Sequence, residues 1–208
     1  LHRKLLATCC EPDDHPERAV WQSRVVELLV SGVCPCVPRK TLMLPGDVPM
    51  PFSFVPPGTF LMGGTVSVWE KPVHRVTLTK GFYLGVHPVT QDQWKAVMGN
   101  KRSRFKGSKR PVEMVTWADS QKFCRKVTKN LKGVGRVELP TEAEWEWACR
   151  AGTTTEYHFG DVLNTDLANY NGNHTRNDSP KGKYRQETTE VGSFPSNAWG
   201  LHDLHGNV

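Results

Sequence analysis

Between Thr153 and Val191 the chain is polar throughout and rich in Asn, Gly, Asp and Tyr. It has neither the alternation of a strand nor the period of a helix. A stretch of this length without regular structure is uncommon inside a compact domain, and where it occurs it is functional or held by a bound ion. That one feature argues against a helical bundle or a doubly wound sheet, whose elements are joined by short loops. Fifteen Pro and eighteen Gly point the same way, to a loop-rich fold. With 208 residues, 38% of them hydrophobic, the chain has material for one sizeable domain, or a domain plus a short appendage, with a buried core.

The regular elements precede that stretch. "FSFVPPGTFLMGG" reads as two short strands around a Pro-Pro-Gly turn, and "VHRVTLT" over 73–79 alternates as a half-buried strand does. "GFYLGVHPVT" is a third strand, ended by Pro88. Thr90 stands as N-cap before the helix "QDQWKAVMG", which closes on Gly99. A second helix spans about 117 to 131, with 117, 124, 127 and 131 on its apolar face. The third, in "PTEAEWEWACRAG", has Thr141 as N-cap, Glu144 as its capping-box partner and Gly152 as stop. Trp145 and Ala148 face a core, and Trp94, Trp117, Trp147 and Trp199 read as core and loop anchors. A helix is also expected from about Pro16 to Val30. It lies in a differently textured region, and residues 1–51 read as a tail or linker without assigned function, ahead of a domain at 52–208.

Charge and cysteines narrow the function classes. The net charge is +6, and Lys101, Arg102, Arg104, Lys106, Lys109 and Arg110 fall together without an acid. Only Phe105 interrupts them with an aromatic, and the recognised nucleic-acid motifs are missing, so a solvated loop is expected and nucleic acid is not a partner. No apolar run is long enough to span a membrane. Cys9, Cys10, Cys34, Cys36, Cys124 and Cys149 lack the C-x2-C spacing that aims two thiolates at one zinc. His202 and His205 have H-x2-H spacing but read as surface or aromatic-substitute positions, and Asn173-His174-Thr175 is a glycosylation sequon only in a secreted chain.

The succession "VPPGTFLMGG", "EKPVHRVTLTKGFYLGVHPVTQDQW", "RPVEMVTWADSQKFC", "LPTEAEWEWACRAGTTTEYHFGD", "ANYNGN" and "TTEVGSFPSNAWGLHDLHGNV" resembles the formylglycine-generating enzyme family, also called the sulfatase-modifying factor family. The resemblance covers about 52–208. It implies an irregular, loop-rich α+β fold related to C-type lectins, with little regular secondary structure and calcium ions pinning the loops. It also implies an activity: two cysteines of the C-terminal part hold copper, activate oxygen, and oxidise the cysteine of a sulfatase's C-x-P-x-R motif to formylglycine. Soft Cu(I) suits thiolate ligands. Neither catalytic cysteine has a counterpart here, so no catalytic residue is assigned; Cys124 and Cys149 match positions that form structural disulfides in some members.

For calcium, Asn169 and the carbonyl of Tyr170 match a first site, the oxygen donors that a hard cation takes, with Asp178 as an acidic candidate. Asn207 matches the start of a second site, and by itself also reads as a turn residue. The expected function is a formylglycine-generating oxidase acting on a sulfatase polypeptide or another protein or peptide substrate. The alternative is a ligand-binding module on the same scaffold. A cysteine pair in a following Gly/Ser-rich segment would separate the two. A sulfoxide synthase would need an H-x3-H-x-E helix, which is missing. Leu1 in place of Met and the turn "WGLHDLHGNV" at the other end suggest a fragment whose C-terminal third is missing. A bacterial-type cytoplasmic setting is expected.

Overall fold

A computed structural model describes residues 37–65, 67–131, 135–174 and 179–208, and the backbone of 8–10. The helix expected near 16–30 lies outside the described residues, as do Cys34, Cys36 and Asp178. Two antiparallel sheets carry the strands. Strands β1 (Thr8–Cys10), β2 (Arg39–Leu44), β3 (Val48–Val55), β6 (Phe82–Gly85) and β7 (Arg136–Glu138) form one sheet in the order β2-β3-β6-β1-β7. Strands β4 (Gly58–Met62) and β5 (His74–Leu78) form a separate two-stranded ribbon. The two strands expected around Pro56 are therefore present, but the turn between them carries the chain from one sheet to the other.

The sheet reaches back beyond the expected boundary at residue 52. β2 pairs with β3 from Arg39↔Ser53 to Leu44↔Val48. Gly46 and Asp47 in the connection both take positive φ, the twist a tight hairpin needs. β2 escapes a sequence reading because it is an edge strand: most of "RKTLML" faces solvent, and Leu44 alone in it is buried.

Period-two alternation along β3 sorts the core onto two faces. Met50 and Phe52 face one way, into a cluster with Trp94, Phe123, Cys124 and Val127. Ser53 and Val55 face the other; Val55 joins Leu84, Ala148, Trp199, Leu201 and Leu204 there. The first face is covered by α1 (Gln91–Met98) and α2 (Trp117–Asn130), and the second by α3 (Glu142–Arg150) with residues 199–204. Trp94 and Phe123 stack at 5.4 Å with an interplanar angle of 3°.

The three α-helices among the described residues each start with a capping box, Thr90 with Gln93, Thr116 with Asp119 and Thr141 with Glu144. Each satisfies orphan N–H groups and is worth about 1 kcal/mol. Gly99 closes α1 at φ 78°. At the end of α3 the left-handed cap falls on Ala151, one residue before the expected Gly152. The buried stripe of α2 is Ser120, Phe123, Cys124 and Val127. Trp117 is exposed and anchors no core: it keeps the spacing of that stripe but is the first residue of α2, a turn ahead of the buried Ser120. Trp147 does anchor: its Nε1 donates to the carbonyl of Pro56 (2.8 Å) and its ring lies between Phe60 and Trp199.

Candidate functional site

Among the described residues 153–208 hold no helix or strand, yet many of their polar groups are buried. Asn169 and Asn207, expected in separate calcium sites, lie against each other. Asn169 Nδ2 donates to the carbonyl of Glu187 (2.8 Å) and to Asn207 Oδ1 (3.2 Å), and the backbone N–H of Asn207 donates to the carbonyl of Asn169 (2.8 Å). Asn207 Oδ1 also accepts from Thr189 N (2.7 Å) and Thr189 Oγ1 (3.2 Å), while its Nδ2 donates to the carbonyl of Thr189 (3.2 Å). These partners fix which amide atom is oxygen. The result is a clasp joining three loop segments.

That clasp tests the metal expectations. Asn207 Oδ1 does not fit as a calcium ligand in this arrangement, because it already takes three donors. Asn169 fits in part: both partners of its Nδ2 are oxygens, which leaves its Oδ1 as the atom a cation would take beside the Tyr170 carbonyl. The Tyr170 hydroxyl donates to Leu163 O (3.2 Å). Calcium takes about six to eight oxygens, and among the described residues no three His, Cys, Asp or Glu groups come together to hold a metal.

Copper meets a clearer mismatch. Cys124 lies in the first apolar cluster and Cys149 in the second, on opposite faces of the sheet, both buried and neither in a disulfide. Burial pushes the Cys124 thiol up to about 12, so it is not a ready thiolate. These two cysteines cannot form a two-thiolate site.

Cys149 has a neighbour that the sequence hid. Its Sγ lies 3.6 Å from Nε2 and 3.7 Å from Nδ1 of His205, 56 positions away. Near-equal distances to both nitrogens keep sulfur off either N–H direction, so this is a contact with the ring and not an aligned base–nucleophile pair. The backbone N–H of His158 donates to His205 Nε2 (3.2 Å), and the two imidazoles stack at 4.9 Å. Tyr157 and Phe159 meet the same ring edge-on. His205 thus serves as an aromatic wall, in keeping with the aromatic-substitute reading. His202 is pinned separately, its Nδ1 at 2.9 Å from Phe194 O. Burial lowers the pKa of His158, with the charge of His202 a second cause.

Two polar hubs carried no sequence signal. Asn197 Nδ2 donates to Ala148 O (2.7 Å), while its Oδ1 accepts from the N–H groups of Trp199 (3.0 Å) and Leu201 (3.2 Å). Glu146 Oε1 pairs with Arg150 and accepts from Gly63 N (2.9 Å), while Arg150 Nη2 donates to Gly63 O (3.1 Å). One Asn among many in a polar tract, and an acid in an amphipathic helix, look like any other.

Residues 47–208 match the Sulfatase-modifying factor enzyme 1-like domain. Chaperone protein LppX of Paenibacillus barcinonensis is 31% identical over 173 residues, covering 64% of this chain and 61% of that protein. The formylglycine-generating enzyme of Mycobacterium tuberculosis is 37% identical over 123 residues, 55% of this chain and 37% of that enzyme. The chain thus spans less than two thirds of either relative. Among solved structures, Treponema denticola variable protein 1 superposes with a TM-score of 0.66 at 27% identity, covering 84% of this chain and 75% of that one. The mixed α+β architecture, its loop-rich second half and the match over most of the chain together make it a member of the sulfatase-modifying factor family.

Proposed function

We propose that the protein containing this chain is a formylglycine-generating oxidase-like protein that acts on the cysteine of a sulfatase C-x-P-x-R segment, and that residues 37–208 supply its scaffold. The observation that carries this reading is the family match over 47–208, together with the similarity to a formylglycine-generating enzyme. The oxygen-activating thiols are not assigned to Cys124 or Cys149, which are buried on opposite faces. Mass spectrometry of a C-x-P-x-R peptide incubated with the full-length protein, copper and oxygen tests it. Loss of sulfur from the cysteine with gain of an aldehyde supports the reading, and an unmodified peptide with a folded, copper-loaded protein refutes it.

The second reading is a binding module on the same scaffold without oxidase activity. A relative that bears the name of a chaperone agrees with it. It predicts peptide binding without turnover in that assay. We propose calcium only at Asn169 Oδ1 and the Tyr170 carbonyl, supported by the fixed amide of Asn169. Calorimetric titration of the protein with calcium, and of Asn169→Ala beside it, tests this directly.

A further inference from the structure

The most exposed large apolar side chain among the described residues is Trp69, with 87% of its surface open to solvent; Val68 beside it is 74% open. Nothing in the fold is stabilised by leaving them there, since burial of such side chains is favourable. Yet the turn that carries them is tightly held. Ser67 and Glu70 close a capping box around the 3-10 turn Val68–Glu70, with Ser67 Oγ accepting from Trp69 N (3.2 Å) and Glu70 Oε2 accepting from Ser67 N (3.4 Å). Gly64 N donates to Glu70 O (3.1 Å). A Cβ at Gly63 would lie 2.3 Å from that carbonyl, so the turn is seated on the end of β4 where only glycine fits. The Glu146–Arg150 pair of α3 then grips both backbone groups of Gly63. This is a rigid pedestal for an exposed indole, the kind of pre-ordered aromatic anchor around which interfaces are built.

The surroundings give the partner's character. On the outer side of the ribbon Leu61 pairs with Arg75, and the hydroxyls of Thr59 and Thr77 meet at 2.8 Å. Val73, Lys71 and His74 are exposed nearby. From residue 59 to 80 the only acid is Glu70, against Lys71, Arg75 and Lys80, and its carboxylate is already committed to the cap. The ribbon's own exposed side chains are therefore apolar at Trp69 and Leu61 and basic at Lys71 and Arg75. Polar and apolar groups interleave on a flat ribbon, with too few apolar side chains at the tip to enter lipid.

We infer that the Trp69 turn and the outer face of the β4–β5 ribbon form a docking surface for an acidic segment of a partner protein that carries an apolar side chain. This does not depend on the oxidase reading. The acidic residues face Lys71 and Arg75, and the apolar side chain packs on Trp69 and Leu61.

The test is selection of short peptides from a random library by the full 208-residue chain, counted against the Trp69→Ser variant. Trp117→Ser, another exposed tryptophan, serves as a surface control. Enriched peptides should be acidic with one large apolar residue. They should bind Trp69→Ser about tenfold more weakly or worse, keep their affinity for Trp69→Phe and Trp117→Ser, and lose it with Lys71→Glu/Arg75→Glu. No enrichment, enrichment without acidic bias, or binding that survives Trp69→Ser overturns the inference. Trp69-dependent retention on phosphatidylserine vesicles without peptide selection also overturns it and assigns the patch to a membrane.

Discussion

The two halves of this molecule satisfy the same backbone requirement by different means. Every buried N–H and C=O needs a partner. In residues 37–152 strand ladders and capped helices provide it. In 153–208 side-chain amides and carboxylates do much of that work. Asn197 takes four backbone groups, Asn169 and Asn207 close a clasp, and Asp203 Oδ2 accepts from Gly192 N at 2.7 Å. Positive φ at residues with a side chain is common to both halves, at Asp47, Ser103, Met114 and Ala151 in the first and Gln186, Asp203 and Asn207 in the second, and Asn and Asp tolerate it better than most. An aperiodic sequence can thus be ordered provided that a few polar side chains stand in for the ladder, and it still contributes Trp199, Leu201 and Leu204 to a core.

The comparison breaks most visibly in the first half. Phe123 is fully buried and stacked on Trp94, so Phe123→Ala should cost about 4 kcal/mol of stability through lost burial and a cavity. Denaturant unfolding midpoints measure it. Asn197→Ala tests the second half by the same measurement. It removes no apolar surface but takes a partner from two carbonyls and two N–H groups, and should cost about 3 kcal/mol. A loss under about 1 kcal/mol would mean that the second half is not held by its amides.

That contrast also explains what the sequence discloses. The helix starts at Thr90 and Thr141 are legible because a capping box is a local pattern, and β5 because its alternation is local too. β2 is illegible: an edge strand buries too little to mark itself. The exposure of Trp117 is illegible because its position fits the helical stripe of Ser120, Cys124 and Val127, and only tertiary packing decides that burial begins at Ser120. In the candidate site, Asn169 and Asn207 stand out as residues with a role, but their mutual contact spans 38 positions and Asn197 reaches back 49 to Ala148. Such pairings leave no periodic trace. Cys149 and His205 meet for the same reason unannounced.

Smaller effects come from protons. Burial lowers the pKa of His87, with the charges of Asp203 and His202 among the lesser influences, and His158 shifts the same way. The native state therefore binds protons less readily than the unfolded chain. The stability these residues allow is present above the ordinary histidine pKa of about 6.5 and is lost as pH falls below it. Cys124, raised from 9.0 to about 12, acts at the other end: stability is full below the ordinary thiol value and declines as pH rises through the interval. Melting temperature should therefore fall on both sides of a neutral plateau, and His87→Gln should flatten the acid side alone.

The central claim is that the second half is pinned by its own amides, with the Asn169–Asn207 clasp as the decisive joint. Hydrogen exchange of Asn207→Ala against the parent chain, each with and without chelator, tests it most directly. The account predicts that the amides of Thr189 and Asn207 lose protection in the variant whether or not chelator is present, while those of β3 and α2 are unchanged. Protection that survives Asn207→Ala but vanishes when the parent chain is treated with chelator would contradict it, and would make a bound cation the pin.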